Sequence, residues 1–457
     1  MKVLLASSPI AGHLNPLLVA AGMLKNAGHE TALYTGSLFR GKIEAAGVGF
    51  FPLPADVDFD LRDLGAAFPE WKQYTPGPQQ LLYSMKNIFV NAMPSQFRGL
   101  EAILQEFPAD VVVHENYFFG VLPLLLGTRS PRPVSACLSI TTLPLPREDG
   151  APTGPGLPPA TNATRREQFR SIARDFAAAL TNPVREYADQ ILDELGVQCL
   201  PGPIVESTAA LSDLILQPCV PSFEFPFRQA PGNKVHFIGS LLPQGLGDVP
   251  PQVKEAKDAG RSIVLVSQGT VVNDDLGRLV APVIQALGEH KDKLLLVTTG
   301  GKSIDSIPFP LSPNTVAVPF LNFGKVFPQV DVLVALGGYG TVTQALSCGI
   351  PMVLAGHGQD KPEIAARVAW TGSGIRLDTG RPTADQLRDA VEQVLSDPAY
   401  RIRAKTLAQE FAAHDAAREL PLLLETLVAD RQAVSPGTKA RDDSNDARRP
   451  RSTRRPA

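Results

Sequence analysis

Near its start the chain reads Val3-Leu4-Leu5-Ala6-Ser7-Ser8-Pro9-Ile10-Ala11-Gly12-His13-Leu14-Asn15-Pro16. The continuous apolar run at residues 3–6 predicts a short strand that is buried on both faces. Asn15 is a suitable N-cap and Pro16 suits the first position of a helix, so we expect a helix at residues 17–26 and a second strand at 31–34. Loops this short predict two parallel strands joined by a right-handed crossover.

The alternation of strands and helices continues along the chain in two series. In the first series, further strands are predicted at 110–113 and 134–138. In the second, strands are predicted at 263–267, 294–298, 315–318, 332–336 and 352–355, and helices at about 275–288, 343–348, 361–371 and 384–395. A chain of 457 residues is also longer than one hydrophobic core usually serves. We therefore predict an α/β protein with two tandem Rossmann-like, doubly wound domains.

Composition shifts suggest where these domains begin and end. We predict an N-terminal domain at 1–220, a linker at 221–234, a C-terminal domain at 235–397, helices at 398–432 that pack back toward the N-terminal domain, and a disordered basic tail at 433–457. Residues 144–159 contain six prolines and three glycines, which excludes a helix or a central strand there. A long irregular loop of this kind is usually functional or mobile.

Charge and hydropathy exclude several classes of partner. Lys and Arg number 43 against 46 Asp and Glu, so the net charge of −3 argues against a nucleic-acid partner. No apolar run approaches the roughly 18 residues of a membrane span, so no integral membrane segment is expected. The apolar run at residues 3–6 is too short for a signal peptide. These features favour a soluble, cytoplasmic protein.

A glycine-rich turn follows the strand predicted at 332–336. It reads Gly337-Gly338-Tyr339-Gly340-Thr341 and leads into a helix. Glycines let the backbone approach a phosphate closely, and a helix N-terminus offers unpaired N–H groups and a partial positive charge. The order matches neither GxGxxG nor a P-loop. The turn therefore predicts either a phosphate site or a plain strand-to-helix connection.

Polar side chains follow two other strands of the second series. Gln359 and Asp360 come after the strand predicted at 352–355, and ligands of open α/β sheets bind at the carboxyl ends of strands. They are placed to hydrogen-bond a polyhydroxylated ligand, although Asp360 also suits the N-cap of the following helix. Ser267 and Thr270 follow an earlier strand and are expected to bring hydroxyl groups to the same cleft.

His13 is the candidate general base. It follows a buried strand and precedes a helix N-terminus, whose partial positive charge disfavours a protonated ring. A carboxylate usually orients such a base, and Glu115 lies at the carboxyl end of the strand predicted at 110–113. A solvated loop position for Glu115 stays open, and His114 is a weaker candidate. The seven histidines are scattered without ligand spacing, so no metal site is predicted.

In this order, the motifs resemble those of glycosyltransferase family 1, the UDP-sugar-dependent inverting enzymes of GT-B fold that modify small molecules. The resemblance covers about residues 1–430 and implies an interdomain cleft. It implies that His13 deprotonates the acceptor and that Glu115 takes the place of the usual Asp. It further implies that Gly337, Gly338 and Thr341 hold the diphosphate. Gln359 and Asp360 would bind the sugar hydroxyls, Phe320 would stack on the uracil, and Gln344 would bind the ribose.

Three further positions depart from the pattern of that family. Leu336 replaces a His that contacts phosphate, Gln344 replaces a Glu, and Lys361 replaces the Gln of an Asp-Gln pair. Losing a comparable hydrogen-bond donor elsewhere costs about 3–4 kcal/mol. Backbone N–H groups, Thr341 or Lys361 are the candidates that would compensate for Leu336.

The resemblance predicts transfer of a sugar, glucose by default, from a UDP-sugar to a hydroxyl of a small hydrophobic acceptor, without a resident cofactor. Six aromatic residues either wall an acceptor pocket together with residues 144–159 or fill the core: Phe59, Phe68, Trp71, Tyr74, Tyr83 and Phe89.

Two other functions stay open. A dinucleotide-dependent oxidoreductase needs a GxGxxG turn, and the first turn has only Gly12. A catalytically impaired auxiliary protein is favoured by Leu336, whereas His13 and Asp360 argue against it.

Overall fold

The computed structural model describes residues 1–75, 77–127, 132–228, 234–242, 248–270, 273 and 275–434. These residues form two fully parallel sheets with helices on their faces. The thirteen strands are β1 (Lys2–Ala6), β2 (Glu30–Thr35), β3 (Gly49–Pro52), β4 (Val111–Glu115), β5 (Val134–Leu138), β6 (Leu214–Gln217), β7 (Val235–Phe237), β8 (Ser262–Ser267), β9 (Lys293–Thr298), β10 (Thr315–Val318), β11 (Val332–Ala335), β12 (Met352–Leu354) and β13 (Gly374–Arg376).

The first sheet has the order β3-β2-β1-β4-β5-β6-β7, and the second has the order β10-β9-β8-β11-β12-β13. Within the described residues, the α-helices of the first domain are α1 (Ala11–Asn26), α2 (Arg40–Ala45), α3 (Leu64–Ala67), α4 (Pro78–Ser84), α5 (Met93–Glu106), α6 (Leu122–Leu126), α7 (Ala163–Phe176), α8 (Asn182–Glu194) and α9 (Ile204–Ala210). Those that follow are α10 (Pro251–Asp258), α11 (Val280–Leu287), α12 (Phe323–Val326), α13 (Tyr339–Ser347), α14 (Lys361–Thr371), α15 (Ala384–Ser396), α16 (Pro398–Phe411) and α17 (Ala416–Val434). The predicted pair of doubly wound α/β domains is confirmed.

Helix α1 begins six residues earlier than the sequence predicts. Its first turn is built on Ile10, whose carbonyl accepts from His13 N at 3.0 Å and from Leu14 N at 2.9 Å. The earlier start places Leu14 in the core of the first domain, fully buried. Asn15 and Pro16 lie inside the helix, so neither marks its start, and the Asn15 side chain accepts from Lys42 Nζ at 2.6 Å.

The boundary between the domains differs from the predicted one at residue 235. Val235–Phe237 form β7, which pairs with β6 at the edge of the first sheet. The second domain therefore starts after this strand, and α10 is its first helix to pack on β8 and β9. Part of the predicted linker packs against the domains, because Glu224 and Phe225 are buried. Its residues 229–233 lie outside the described residues.

The chain returns to the first domain at its end. Helix α16 packs on α13 of the second domain, whereas α17 packs on α1 and β5 of the first. Leu420 and Leu424 of α17 are fully buried in the same cluster as Leu14 and Leu17 of α1. Residues 435–457, which contain most of the predicted basic tail, lie outside the described residues. In the part of the chain that is described, none of the helices has the length and apolar character of a membrane span.

Candidate functional site

The first part of the site lies where the strand order of the first sheet reverses. Strands β1 and β4 are neighbours, and the chain continues from them toward opposite edges of the sheet. Ligands of doubly wound folds bind at such a switch point, outside the carboxyl ends of the strands. The structure places His13 in the first turn of α1, directly after β1, and makes Glu115 the last residue of β4.

His13 and Glu115 form a close pair. His13 Nδ1 lies 3.1 Å from Glu115 Oε1, with the histidine side chain 17% exposed and the carboxylate fully buried. The arrangement leaves the other ring nitrogen, Nε2, as the one available to a substrate proton. A carboxylate at Nδ1 fixes the ring orientation and stabilises the imidazolium that forms when Nε2 accepts a proton.

Three donors hold Glu115 as a carboxylate. Ser8 Oγ donates to Oε1 at 2.7 Å, Ser8 N donates to the same oxygen at 3.2 Å, and Tyr117 N donates to Oε2. Burial alone would raise the pKa of Glu115, but the charge and hydrogen bond of His13, with those from Ser8 and Tyr117, outweigh it and lower the pKa. Glu115 is thus not the solvated loop residue that the sequence left open.

Two aromatic rings pack beside His13. Phe89 stacks on the imidazole with ring centres 6.0 Å apart, and Tyr117 lies at 5.6 Å. Phe59 and Phe89 line a narrow cavity beside Ser8. The other predicted aromatics pair among themselves or bond locally: Phe59 with Phe68, Tyr74 with Tyr83, and Trp71 with Ser84.

His114 is a structural residue. Its ring is completely buried on the other side of β4, with Nε2 at 2.9 Å from Ser212 Oγ and Nδ1 at 3.2 Å from Glu115 O. Burial lowers the pKa of His114 to about 4, so the ring is neutral in the folded protein.

The second part of the site lies at the equivalent switch point of the second sheet, between β8 and β11. Gly337 has φ +91°, a conformation that favours glycine, and Gly338 is the N-cap of α13. No atom lies within 4 Å of a side chain placed at Gly338, and no side chain caps the first turn. The helix begins at Tyr339 rather than at the predicted 343, so Thr341 lies in its first turn. Open space faces uncapped N–H groups, which suits a phosphate.

Leu336 does not point toward this turn. Its side chain is buried in the core of the second domain beside Val334 and Val353. The start of the Lys361 side chain lies close to the Leu336 carbonyl, with only Gly356 between them. A side-chain carbon placed at Gly356 would lie 1.7 Å from Leu336 O and 2.7 Å from Lys361 Cβ. Burial lowers the pKa of the Lys361 ammonium against the opposing effect of Asp360. Lys361 is therefore a buried residue whose side chain begins beside the glycine turn.

Gln359 and Asp360 lie at the start of α14, next to that turn. Gln359 has φ +52°, unusual for a residue other than glycine, and its Oε1 accepts from Lys361 Nζ at 2.5 Å. Asp360 is the N-cap residue, but its side chain makes no capping bond. Its Oδ2 instead accepts from Thr141 Oγ1 at 3.1 Å, which joins the two domains across the site.

The other predicted donor residues lie around the same edge of the second sheet. Ser267 ends β8 and is paired in register with Ala335 of β11. Thr270 is exposed in the loop that follows. Phe320 is 67% exposed, and its ring lies against Gly301. A side-chain carbon placed at Gly301 would lie 2.6 Å from the Phe320 ring. Gln344 Nε2 donates to Leu241 O at 3.3 Å, while its Oε1 is buried without a partner.

Sequence reasoning missed several residues of the site. Ser8, Tyr117 and Thr141 were not singled out, although they come within three residues of the ends of β1, β4 and β5. The rule that ligands bind at the carboxyl ends of strands would have found all three. Among the described residues, no three His, Cys, Asp or Glu side chains are grouped as metal ligands.

Comparisons with known proteins identify relatives that match most of this chain. Residues 283–427 match the family described as "Erythromycin biosynthesis protein CIII-like, C-terminal domain". UDP-glycosyltransferase 2 of Phaeomoniella chlamydospora is 35% identical over 445 residues, which cover 93% of this chain and 96% of that protein. The 4'-demethylrebeccamycin synthase of Lentzea aerocolonigenes is 34% identical over 428 residues, which cover 93% of this chain and 99% of that protein.

Solved structures show the same fold. The calicheamicin glycosyltransferase superposes with a TM-score of 0.69 at 21% identity, over 94% of this chain and 98% of that one. The glycosyltransferase VinC in complex with DTDP gives a TM-score of 0.65 at 19% identity, over 94% of this chain and 100% of that one.

Proposed function

Because the chain belongs to the UDP-glycosyltransferases of family 1 and has their GT-B fold, we propose that it glycosylates a small hydrophobic acceptor with His13 as the general base. The donor is a UDP-sugar, UDP-glucose by default, and the configuration at the anomeric carbon inverts. The single observation that carries the proposal is the 3.1 Å contact between His13 Nδ1 and the buried Glu115 carboxylate.

The proposed reaction is a single displacement. His13 Nε2 takes the proton of an acceptor hydroxyl, and the hydroxyl oxygen attacks the anomeric carbon on the face opposite the diphosphate. The bond from that carbon to the diphosphate oxygen breaks, and UDP leaves with the electron pair. Glu115 stabilises the resulting imidazolium, which is the role of a carboxylate that orients a histidine base.

The departing diphosphate gains negative charge, and the second domain offers groups that would stabilise it. These are the uncapped N–H groups at the start of α13, the hydroxyl of Thr341 and the ammonium of Lys361. Donors that are fixed before the reaction stabilise developing charge without reorganising. In this proposal Lys361 takes the place of the histidine that Leu336 replaces, since it begins beside the Leu336 carbonyl.

The remaining donor contacts follow from the positions of the side chains. Gln359 and Asp360 would bind the sugar hydroxyls at the start of α14, with Ser267 and Thr270 at the neighbouring strand end. The exposed ring of Phe320 would stack on the uracil, and Gln344 would bind the ribose. The acceptor would enter beside His13, against Phe89 and Tyr117.

Calorimetric titration of the purified chain with UDP, with dTDP and NAD as comparison ligands, is the first test. We expect UDP to bind more tightly than dTDP, and NAD not to bind. UDP-glucose and a panel of hydrophobic phenols and alcohols then test transfer, and His13→Ala is expected to lower kcat by about 10²- to 10⁴-fold while UDP binding is retained.

Each outcome of these titrations has a distinct meaning. Binding of NAD alone would contradict the proposal and favour an oxidoreductase. If none of the three nucleotides binds, the UDP-sugar proposal is contradicted, and the chain is an auxiliary relative or uses a donor with another base. A His13→Ala variant with the activity of the wild type would show that another group removes the proton.

A further inference from the structure

The proline-rich segment of the first domain is docked on the helix that presents Asp360. Gly154 N and Gly156 N each donate to Glu363 Oε1 at 2.8 Å. A side-chain carbon at Gly156 would lie only 2.2 Å from Pro362 O, so the loop and helix backbones are in direct contact. Glu363 lies in the first turn of α14, three residues after Asp360. The loop at 144–159 is therefore a contact between the domains.

Glu363 also belongs to a buried set of charges. Arg367 Nη1 lies 2.8 Å from Glu363 Oε2, and Arg367 Nε lies 2.8 Å from Glu224 Oε2. The three side chains are between 1% and 3% exposed. We call Glu224, Glu363 and Arg367 the interdomain charge cluster. Two of its members lie on α14, and Glu224 lies on the segment that connects β6 to β7.

The other carboxylate oxygen of Glu224 binds a further segment of the first domain. It accepts from Leu143 N at 3.1 Å, and Leu143 comes two residues after Thr141. Thr141 in turn donates to Asp360 across the site. The cluster thus holds two segments of the first domain, at Thr141 and at Gly156, against one helix of the second domain.

Stability alone does not account for this arrangement. Buried ion pairs lose much of their attraction to desolvation, and packed hydrophobic side chains often replace them without loss of stability. Burial opposes the charge of Arg367, but its two carboxylate partners outweigh this effect and raise the pKa of the guanidinium. The cluster therefore keeps its charges, and each charge has fixed partners. Directional contacts of this kind specify a geometry.

We infer that Glu363 is a positioning residue, which aligns the donor sugar with His13 by fixing the first turn of α14 against the acceptor domain. This inference rests on the proposed function, since it takes Asp360 as a sugar contact and His13 as the base. A displacement of about 1 Å between reacting groups can lower a rate about 100-fold, and a poorly aligned acceptor leaves the sugar open to water.

Glu363→Gln tests the inference with little change of shape. The amide keeps an oxygen for the two glycine N–H groups but removes the negative charge that faces Arg367. We expect UDP affinity within about twofold of the wild type, because the proposed nucleotide contacts all lie in the second domain. We expect kcat for transfer to fall about tenfold or more, and the ratio of UDP-glucose hydrolysis to transfer to rise.

Gly156→Ala and Gly150→Ala form a matched pair in the same loop. Both glycines have positive φ, +66° and +77°, so an alanine is strained at either position. Only at Gly156 does the added carbon meet α14; at Gly150 its nearest neighbour is Arg170 Cγ at 3.6 Å. We expect Gly156→Ala to raise the hydrolysis ratio as Glu363→Gln does, and Gly150→Ala to keep the ratio of the wild type.

Other results would overturn the inference. If Glu363→Gln weakens UDP binding more than tenfold together with a lower Tm, the cluster only supports the fold of α14. If hydrolysis and transfer fall in the same proportion, Glu363 does not set alignment. Failure of the wild-type chain to bind UDP is a separate result, and it contradicts the proposed function itself.

Discussion

Glu115 combines complete burial with a lowered pKa because every hydrogen bond it accepts favours the charged form. Glu115→Gln would remove the charge that orients His13 and stabilises its protonated form. We expect kcat to fall by about 100-fold or more while UDP affinity is unchanged, since the proposed nucleotide contacts lie in the other domain. Steady-state kinetics and UDP calorimetry measure the two effects.

Ser8→Ala is the matched control for that change. It removes the 2.7 Å hydrogen bond to Glu115 and keeps the carboxylate beside His13. Its loss of kcat should be clearly smaller than that of Glu115→Gln. Equal losses in the two variants would mean that the packing around Glu115, and not its charge, supports catalysis.

His114 makes stability depend on pH. Its pKa is lowered to about 4, whereas a histidine in an unfolded chain has a pKa near 6.5. Between these values the unfolded chain binds a proton that the folded chain does not, so stability falls as the pH falls from about 6.5 to about 4. At about pH 5 the loss amounts to roughly 2 kcal/mol.

Urea unfolding at about pH 7 and pH 5 tests this linkage. The free energy of unfolding of a His114→Gln variant should fall less between the two pH values than that of the wild type, by roughly 2 kcal/mol. The comparison is between slopes, so an overall destabilisation of the variant does not affect it. The same slope in both proteins would show that the buried ring does not titrate in this way.

Lys361 offers a test that separates the diphosphate from the rest of the donor. In the proposed site its ammonium faces the phosphates, and no part of it is assigned to the uracil or ribose. Lys361→Met should therefore weaken UDP binding by about tenfold or more and leave uridine binding within about twofold. An equal loss for both ligands would place the effect in the fold of the loop that carries Gln359.

Among the helices and strands, the sequence predicted the strands more accurately than the residues at which helices begin. The buried strands are continuous apolar runs, and the bounds predicted for five strands of the second domain differ from the structure by at most one residue. Helix α1 was misplaced because Asn15 and Pro16 have the chemistry of a helix start, yet burying Leu14 favours an earlier one. Tertiary packing here overrides the local signal.

The glycine turn between β11 and α13 depends on one backbone conformation. Gly337→Ala puts a side chain at φ +91°, which costs about 1–2 kcal/mol if the turn is kept and moves the N–H groups if it is not. We expect UDP affinity to fall about tenfold or more. Gly260→Ala is the control, since Gly260 has φ +68° with open space around it and lies away from the turn.

Calorimetry of both glycine variants distinguishes strain from the loss of a site. The two variants should lower Tm by similar amounts, and only Gly337→Ala should weaken UDP binding. If Gly260→Ala weakens UDP binding as much, the effect of Gly337→Ala comes from general destabilisation and does not report on a phosphate site.

The same division between local and distant information holds for the whole molecule. The tandem domains and the residues at strand ends follow from periodicity, so the sequence could predict that His13, Glu115 and Asp360 lie near the ends of strands. The contact from Thr141 to Asp360 and the bond from Gly156 to Glu363 join residues more than 200 positions apart. No local sequence pattern predicts which of these residues contact each other. The position of β7 at the edge of the first sheet could not be predicted either, because it depends on where the chain crosses between the domains.

Helix α17 brings the end of the chain back onto the first domain. Helix α17 covers α1, the helix that carries His13, and Leu424 is fully buried between them. Leu424→Ala should lower the free energy of unfolding of the first domain by about 2–5 kcal/mol, through lost burial and the cavity that remains. Leu422→Ala, at a position that is 56% exposed on the same helix, should change it by less than about 0.5 kcal/mol. Urea unfolding followed by circular dichroism measures both, and equal effects would mean that α17 does not hold α1 through this face.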